Sequence, residues 1–444
     1  MRVPSDRRVH PPELKRSAPP GASAGRVEPA PPVDGSTLST LDPAPPRSRK
    51  PLLAALAWTA LAGARLIGTL GGGPTPPAIA CATLNDAPRL EQVLSCEGVT
   101  SPAQLKASIH QANYAWEGLR GHFSGGLESL RDRPGAAGRI TVWPYGQVMA
   151  AALDQARVTG DYNDFEQLVN GLEQYRHPEG GYASSRGPFG LLGNRFYDDN
   201  AWLGLVFVQA AQQVPQGGYL EKAEEVAAFL RSAQQPDGGL LWEEGNPNPS
   251  YNTCVLGPTI ELSLRLYQQT GDSRHLDFAR QLTELMDSRL RQPDGLYADN
   301  VNLESGRVDP TVWSYNQGTP VGAHLLWYRL TGDPSHLEKA QQTARAALHH
   351  FSDDVLWRQP PAFNAVFFRN LLQLEDPAAE QALDGYLERA WSQALEPSSG
   401  LFNRSGNGLG SYEGHGQLST IDQAGLVQLY ALRDWPDSQR HQIS

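Results

Sequence analysis

The sequence predicts an all-α fold, an (α/α)6 toroid of six inner and six outer helices, on three observations. A glycine followed by an apolar residue recurs at Gly126-Leu127, Gly181-Tyr182, Gly239-Leu240, Gly295-Leu296 and Gly400-Leu401, with Val355-Leu356 filling the one gap. Successive spacings are 55, 58, 56, 60 and 45 residues, the period of a repeated supersecondary unit. Between the markers lie segments of helical period that alternate in character. One member is apolar or small all round, and its successor carries a charged face and a single apolar stripe. A helix apolar on every side belongs inside a ring of helices, and an amphipathic one belongs outside it. Third, clear runs of alternating strand pattern are almost absent.

Taken from the N-terminus, residues 1–50 hold eleven prolines and no apolar periodicity, and read as a disordered segment. They carry nine Lys/Arg against five Asp/Glu; with a net charge of −11 overall, the other 394 residues carry −15 (−11 minus +4). A body that acidic repels phosphate backbones, so no nucleic-acid partner is expected. Residues 51–73 read as a signal peptide or membrane anchor. Leu52–Ala64 is an uncharged apolar run preceded by basic residues, and continued to Leu70 it nearly spans a bilayer, with Arg65 as the costly intrusion. Either reading exports the remainder of the chain, since the basic flank stays inside. Residues 74–100 form a linker. Cys81 and Cys96 could pair in an exported protein, leaving Cys254 over; three unpaired thiols is the equal alternative.

Residues 101–444 are the folded domain. Inner-type segments are 142–158, 201–211, 257–269, 322–330 and 421–435; outer-type segments are 221–235, 275–290 and 336–351. In "ARVTGDYNDF", "YQQTGDSRHL" and "YRLTGDPSHL", Gly160, Gly271 and Gly332 stop an inner helix, and the next Asp caps the outer one. His275 and His336, at the starts of outer helices, are expected to be exposed. These inner-to-outer turns are short, whereas the outer-to-inner connections are long, and long connections in a compact domain are usually functional. All of them fall on the rim where the inner helices begin. That rim also gathers six helix N-termini, whose positive ends favour ionised carboxylates.

On that rim "NRFYDDNAWLGL" places Asp198 and Asp199 at the head of an inner helix. Adjacent acids at a helix start are commonly solvated first-turn residues, and Asp353-Asp354 reads that way. Asp198 and Asp199 differ because their helix is buried on both sides, so at least one carboxylate must face the central cavity. Two carboxylates flanking a bond are the equipment of glycoside hydrolysis. Their separation on adjacent helical positions, roughly 5–6 Å, suits a retaining mechanism better than an inverting one. Close like charges also keep a proton available to a general acid. Trp143, Tyr197, Trp242, Trp313, Tyr315 and Trp357 lie at loop-to-helix junctions, where flat rings can stack on sugars; Asn252, Asp299, Asn316 and Gln317 are the neighbouring polar groups.

Other chemistries lack their residues. There is no zinc spacing, no phosphate loop and no DDxxD metal motif, and "GNGLG" at 406–410 lacks the dinucleotide spacing, so no metal or cofactor is expected. An epimerase on such a scaffold needs histidine acid/base pairs, and only His415 is placed for one.

The stretches "TVWPYGQVMAA", "FYDDNAWLGL", "YNTCVLGPTIELSLRLYQQTGD" and "VWSYNQGTPVGAHLLWYRLTGD", extended by "FNAVFFRNLLQL" and "IDQAGLVQLYAL", resemble glycoside hydrolase family 76, the endo-α-1,6-mannanases. The resemblance covers about residues 103–433. It implies the (α/α)6 barrel and a retaining mechanism on α-1,6-mannan, with Asp198 as nucleophile, Asp199 as acid/base and Asp299 of "DGLYADN" as an acidic substrate contact. The stretches "LLWEEGNPNPS" and "PFGLLG" depart from the family pattern. Three readings are open: a monomeric hydrolase of mannan-type glycans, a transglycosidase on the same glycans, or a glycan-binding toroid without turnover.

Overall fold

A computed structural model describes residues 110–123, 126–133, 136, 138–186, 192–352, 354–402, 408–412 and 419–444. The segments 1–50, 51–73 and 74–100, the apolar run 52–70, the Cys81–Cys96 pairing, Asp353, His415 and most of "PFGLLG" lie outside the described residues. Among the described residues no helix is long and apolar enough to cross a membrane.

Thirteen α-helices are described: α1 Gln111–Phe123, α2 Val142–Thr159, α3 Asn163–Leu172, α4 Tyr197–Gln213, α5 Tyr219–Ser232, α6 Thr253–Thr270, α7 Ser273–Arg289, α8 Tyr315–Thr331, α9 Pro334–His350, the short α10 Asp354–Arg358, α11 Pro361–Leu371, α12 Pro377–Gln393 and α13 Thr420–Arg433. Helices α2, α4, α6, α8, α11 and α13 each pack on the next, and α13 returns to α2, closing an inner ring of six. The outer layer is α3, α5, α7, α9, α12 and α1, with α1 seated on α13 and α2. This is the (α/α)6 toroid. The inner helices are apolar all round because both sides are covered: every residue of α4 from Tyr197 to Ala210 is buried. Backbones come close at the ring junctions. A Cβ on Gly257 would collide with Thr319, one on Gly318 with the backbone of Val366 and Phe367, and one on Gly425 with that of Pro361 and Ala362.

The short turns form as expected. Gly160, Gly271 and Gly332 adopt left-handed φ of 76°, 74° and 72°, and each N–H donates to the carbonyl four residues back. Asp272 and Asp333 cap α7 and α9 through Arg274 N and Ser335 N, both at 2.9 Å. Asp161 accepts from Asn163 N at 3.0 Å, but α3 starts a residue later, with Tyr162 at its cap position. A fourth copy of the turn carries no glycine. Glu375 takes the left-handed conformation at φ 54°, and Asp376 caps α12.

Four expectations are corrected. The recurring glycine is one residue earlier in two units: Gly180, Gly238 and Gly295 have φ of 93°, 91° and 89° and close the same turn, each donating to a carbonyl three residues back. The residue two positions later, not the next one, enters the rim. Strands exist, but at two or three residues each they are too short to show alternation. β1 Ser250–Asn252, β2 Asn300–Asn302 and β3 Val308–Asp309 form one antiparallel sheet, and β4 Leu395–Glu396 pairs with β5 Leu401–Phe402. His275 is fully buried, its Nε2 3.0 Å from the Glu224 carboxylate and its Nδ1 2.9 Å from Arg231, because α5 packs over the start of α7. His336 is half-buried beside His324 and Trp327. Helix α6 also begins one turn, and α8 two turns, before the sequence segments do. Pro258 and Pro320 sit inside them, near enough to the N-terminus that only one intrahelical bond is lost.

Candidate active site

The head of α4 carries the acid pair. Phe196 is extended and fixed by pairing with Glu243, and Tyr197 N donates to Trp242 O at 3.0 Å, so the helix starts against the loop that contains Trp242. Asp198 and Asp199 are the second and third residues of α4 and are 7% and 1% exposed. Both therefore leave solvent, as the burial of their helix requires.

Donors from three elements converge on Asp198. Its Oδ1 accepts the Asp199 N–H at 2.9 Å, within α4. Its Oδ2 accepts Trp242 Nε1 at 3.1 Å, from the loop before β1, and the Cys254 thiol at 3.7 Å, from the first turn of α6. Burial, first, and then the charges of Asp198 and Asp299 push the Cys254 thiol far up, so the sulfur is protonated and donates. Tyr315, at the head of α8, acts on the same thiol and opposes that shift. Tyr315 is itself kept protonated by burial and by Cys254, Asp299 and Asp198.

Asp299 sits at the same mouth. Its Oδ1 accepts Asn316 Nδ2 at 2.9 Å and its Oδ2 accepts Asn300 Nδ2 at 3.0 Å, while its backbone pairs with Thr253 and Asp309. Asn252 stands at the junction of β1 with α6, where its Oδ1 accepts the Ser250 hydroxyl at 2.6 Å rather than a helix N–H. Electrostatic and hydrogen-bond contacts thus join Asp198, Trp242, Cys254, Asp299, Tyr315 and Asn316 into one cluster, built from the heads of α4, α6 and α8 and the loops before them.

The aromatic residues divide. Trp242 is half-buried, its ring edge-on to Phe196 at 5.2 Å. Trp143 lies 5.5 Å from Trp202, one turn below the acid pair. Tyr197 stacks on Phe229 of α5 at 5.5 Å, and Trp313 and Tyr315 pack on Phe363. Trp357 lies apart, buried on α10 against Tyr386 and under the Arg389 guanidinium, so it belongs to the packing of α12. Asp354, heading α10, is exposed and paired with Arg389, as a solvated helix-start acid should be.

Gln317 turns out to hold backbone. Its Oε1 accepts Tyr297 N at 2.8 Å, and its Nε2 donates to Tyr297 O and Trp313 O at 3.0 and 3.2 Å. Asn200 clamps Tyr182 in the same way, and Gln423 clamps Phe402. Each amide stands in the first turn of an inner helix and grips the residue two places after a repeat glycine. Sequence reasoning missed this device and Cys254; the shared offset from the glycine is the signal that finds the clamps.

Beneath the mouth, Gln147, Gln209, Glu261, Arg369 and Gln428 stand among apolar residues such as Leu153, Trp202 and Val206 around a small cavity in the barrel. Arg369 pairs with Asp154 and donates to Gln209 and Gln428. Burial pushes Glu261 up to about 8 against the opposing pull of Arg265 and Arg369. Among the described residues no three His, Cys, Asp or Glu side chains gather to hold a metal ion.

A closed ring of six inner helices inside an outer layer, with a buried carboxylate pair at its mouth, defines the class of (α/α)6 barrels. Comparison with known proteins gives the particular family. The chain belongs to glycosyl hydrolase family 76, which residues 109–393 match. A mannan endo-1,6-alpha-mannosidase of Candida glabrata is 26% identical over 228 residues, which are 48% of this chain and 46% of that protein. The chain spans less than half the length of the curated relatives it matches. A family 76 mannosidase of Bacteroides thetaiotaomicron VPI-5482 superposes with a TM-score of 0.63 at 22% identity, over 72% of this chain and 96% of that one. An α-1,6-mannanase of a Salegentibacter species was solved as an inactive variant, two consecutive aspartates replaced by asparagine, in complex with α-1,6-mannotriose. It superposes with a TM-score of 0.60 at 20% identity, over 73% of this chain and 99% of that one. At these identities the structural likenesses establish the fold.

Proposed function

We propose that this protein is a retaining glycoside hydrolase that cleaves α-1,6-linked mannose chains. The observation that carries the reading is the buried Asp198-Asp199 pair at the head of α4, with Asp198 held by donors from three directions. Donors converging on one carboxylate suit an anion that must keep its orientation, which is the requirement on a nucleophile. In the first step an Asp198 oxygen bonds to the anomeric carbon as the glycosidic C–O bond breaks, and Asp199 gives its proton to the departing oxygen. In the second, Asp199 takes a proton from water, whose oxygen replaces Asp198 at the same carbon, so the configuration is retained. Trp242 and the Trp143–Trp202 pair offer ring surface beside the reacting bond, and Asp299, Asn252 and Asn316 offer hydroxyl partners. The substrate class is supported by the mannan-directed relative and by the mannotriose complex of the Salegentibacter enzyme. The apolar run 52–70 supports export of the chain, by cleavage or by anchoring.

The test is product analysis of the full chain on linear α-1,6-mannan, following the anomer formed first by proton NMR. Short α-configured products from the parent, lost in Asp198→Asn and Asp199→Asn, are the expected result. A β-configured first product, or full activity in either variant, overturns the mechanism. Products longer than the substrate would move the reading to transglycosylation.

A further inference from the structure

The hydrogen bonds around Asp198 include one that glycoside cleavage by two carboxylates does not require. Cys254 opens α6 in the sequence "NTCVLG", and its side chain is buried between α4 and α8. Its sulfur lies 3.7 Å from Asp198 Oδ2, the oxygen that also accepts Trp242 Nε1, and the phenol of Tyr315 interacts with the same sulfur. A thiol costs little to bury, and its large sulfur bridges a gap that a hydroxyl on a shorter bond does not. Tyr315 is fixed in turn, its ring 4.1 Å from that of Phe363. The three groups come from three consecutive inner helices, so the contact also sets the spacing of the ring at its mouth.

We infer that Cys254, backed by Tyr315, is a positioning relay that orients Asp198 through its thiol and holds it as the anion for attack. The inference rests on the assignment of Asp198 as nucleophile. A donor aimed at a carboxylate favours its ionised form and fixes its rotamer, and removing the donor does the reverse. The charged or titratable groups around Asp198 include Asp199 on its own helix and Cys254 from α6, with Tyr315 from α8 and Asp299 from the loop before β2 on the same thiol. Cys254→Ala changes only the donor among them.

The experiment compares the full chain with Cys254→Ala, Cys254→Ser and Tyr315→Phe on α-1,6-mannan across pH. In Cys254→Ala, kcat is expected to fall roughly fivefold with KM unchanged, the size of one lost hydrogen bond. The acidic limb of kcat/KM is expected to move up by about half a pH unit. Cys254→Ser should recover part of both effects, and Tyr315→Phe should give a smaller shift of the same sign. A lower kcat with the acidic limb unmoved means that Cys254 only fills space, and overturns the relay. A second readout needs no turnover: the infrared S–H stretch, isolated as the difference between parent and Cys254→Ser, is expected to shift when Asp198 becomes Asn. A parent without activity but with that shift refutes the hydrolase reading and keeps the relay as a structural contact. A band that ignores Asp198→Asn refutes the relay.

Discussion

Glu261 lies inside the toroid, below the acid pair, and its carboxyl is pushed by burial from 4.5 up to about 8. The unfolded chain ionises this group near 4.5, while the folded chain keeps its proton until about pH 8. Stability from this group is therefore complete below the unfolded value. It falls as pH rises between the two values and is level above the higher one. At pH 7 the loss is about 3 kcal/mol. Glu261→Gln keeps the size of the neutral acid and removes the titration, leaving Arg265 and Arg369 as they stand. The variant is expected to match the parent near pH 4.5 and to exceed it by about 3 kcal/mol at pH 7, or roughly 5 °C in Tm for a domain of this size. The assay is thermal unfolding of both proteins at matched scan rate from pH 4.5 to 8.5. Asp422 is also raised by burial, to about 7, but it is present in both proteins and drops out of the difference. A Tm difference that is constant across pH refutes the reasoning, because it places the Glu261 effect in packing rather than in proton release.

Trp242→Phe keeps a ring against Phe196 and removes the indole donor to Asp198; initial rates on α-1,6-mannan should fall roughly five- to tenfold, and an unchanged rate removes Trp242 from the support of Asp198. Gln423→Leu leaves the buried N–H and C=O of Phe402 unpaired and should cost about 2–4 kcal/mol by denaturant titration. Glu375→Gly places the residue type that three sibling turns use at a left-handed position. It should gain about 0.5–1 kcal/mol in the same titration, and a loss would show that attraction between Glu375 and Arg329 outweighs the backbone strain.

The ring of helices was legible because its cause is local. A segment with no polar face, as in α4 or α8, has to be covered on both sides, and a glycine before an aspartate stops one helix and starts the next. The placement of Asp198 and Asp199 came from the same fact, since a helix buried all round cannot leave its first turn in water. What the sequence hid depends on distant neighbours. His275 looks like an exposed helix-start residue until α5 covers it. Gln317 looks like a sugar contact until Tyr297 returns to meet it across the rim. Cys254 carries no signal at all in one dimension, because its partners Asp198 and Tyr315 lie 56 positions before it and 61 positions after it. Trp357 shows the opposite failure: an aromatic at a junction reads as a platform, while its helix turns it toward α12.

The side-chain amides of Asn200, Gln317 and Gln423 divide the labour between ring and rim. Each fastens one residue of an incoming connection to the head of the next helix, so the chain between the fastening point and that helix hangs from two fixed posts. Residues 298–314 are such a span. Within it the exposed turn 303–307 can change in length and chemistry while both posts stay in register, whereas Asp299, paired with Thr253 and Asn316, and Trp313, packed on Phe363, stay tied to the helix heads. A toroid built this way is a chassis with exchangeable fittings: new substrate walls can be grafted between posts without redesigning the core, and the acid pair keeps its place beneath whichever wall is mounted above it.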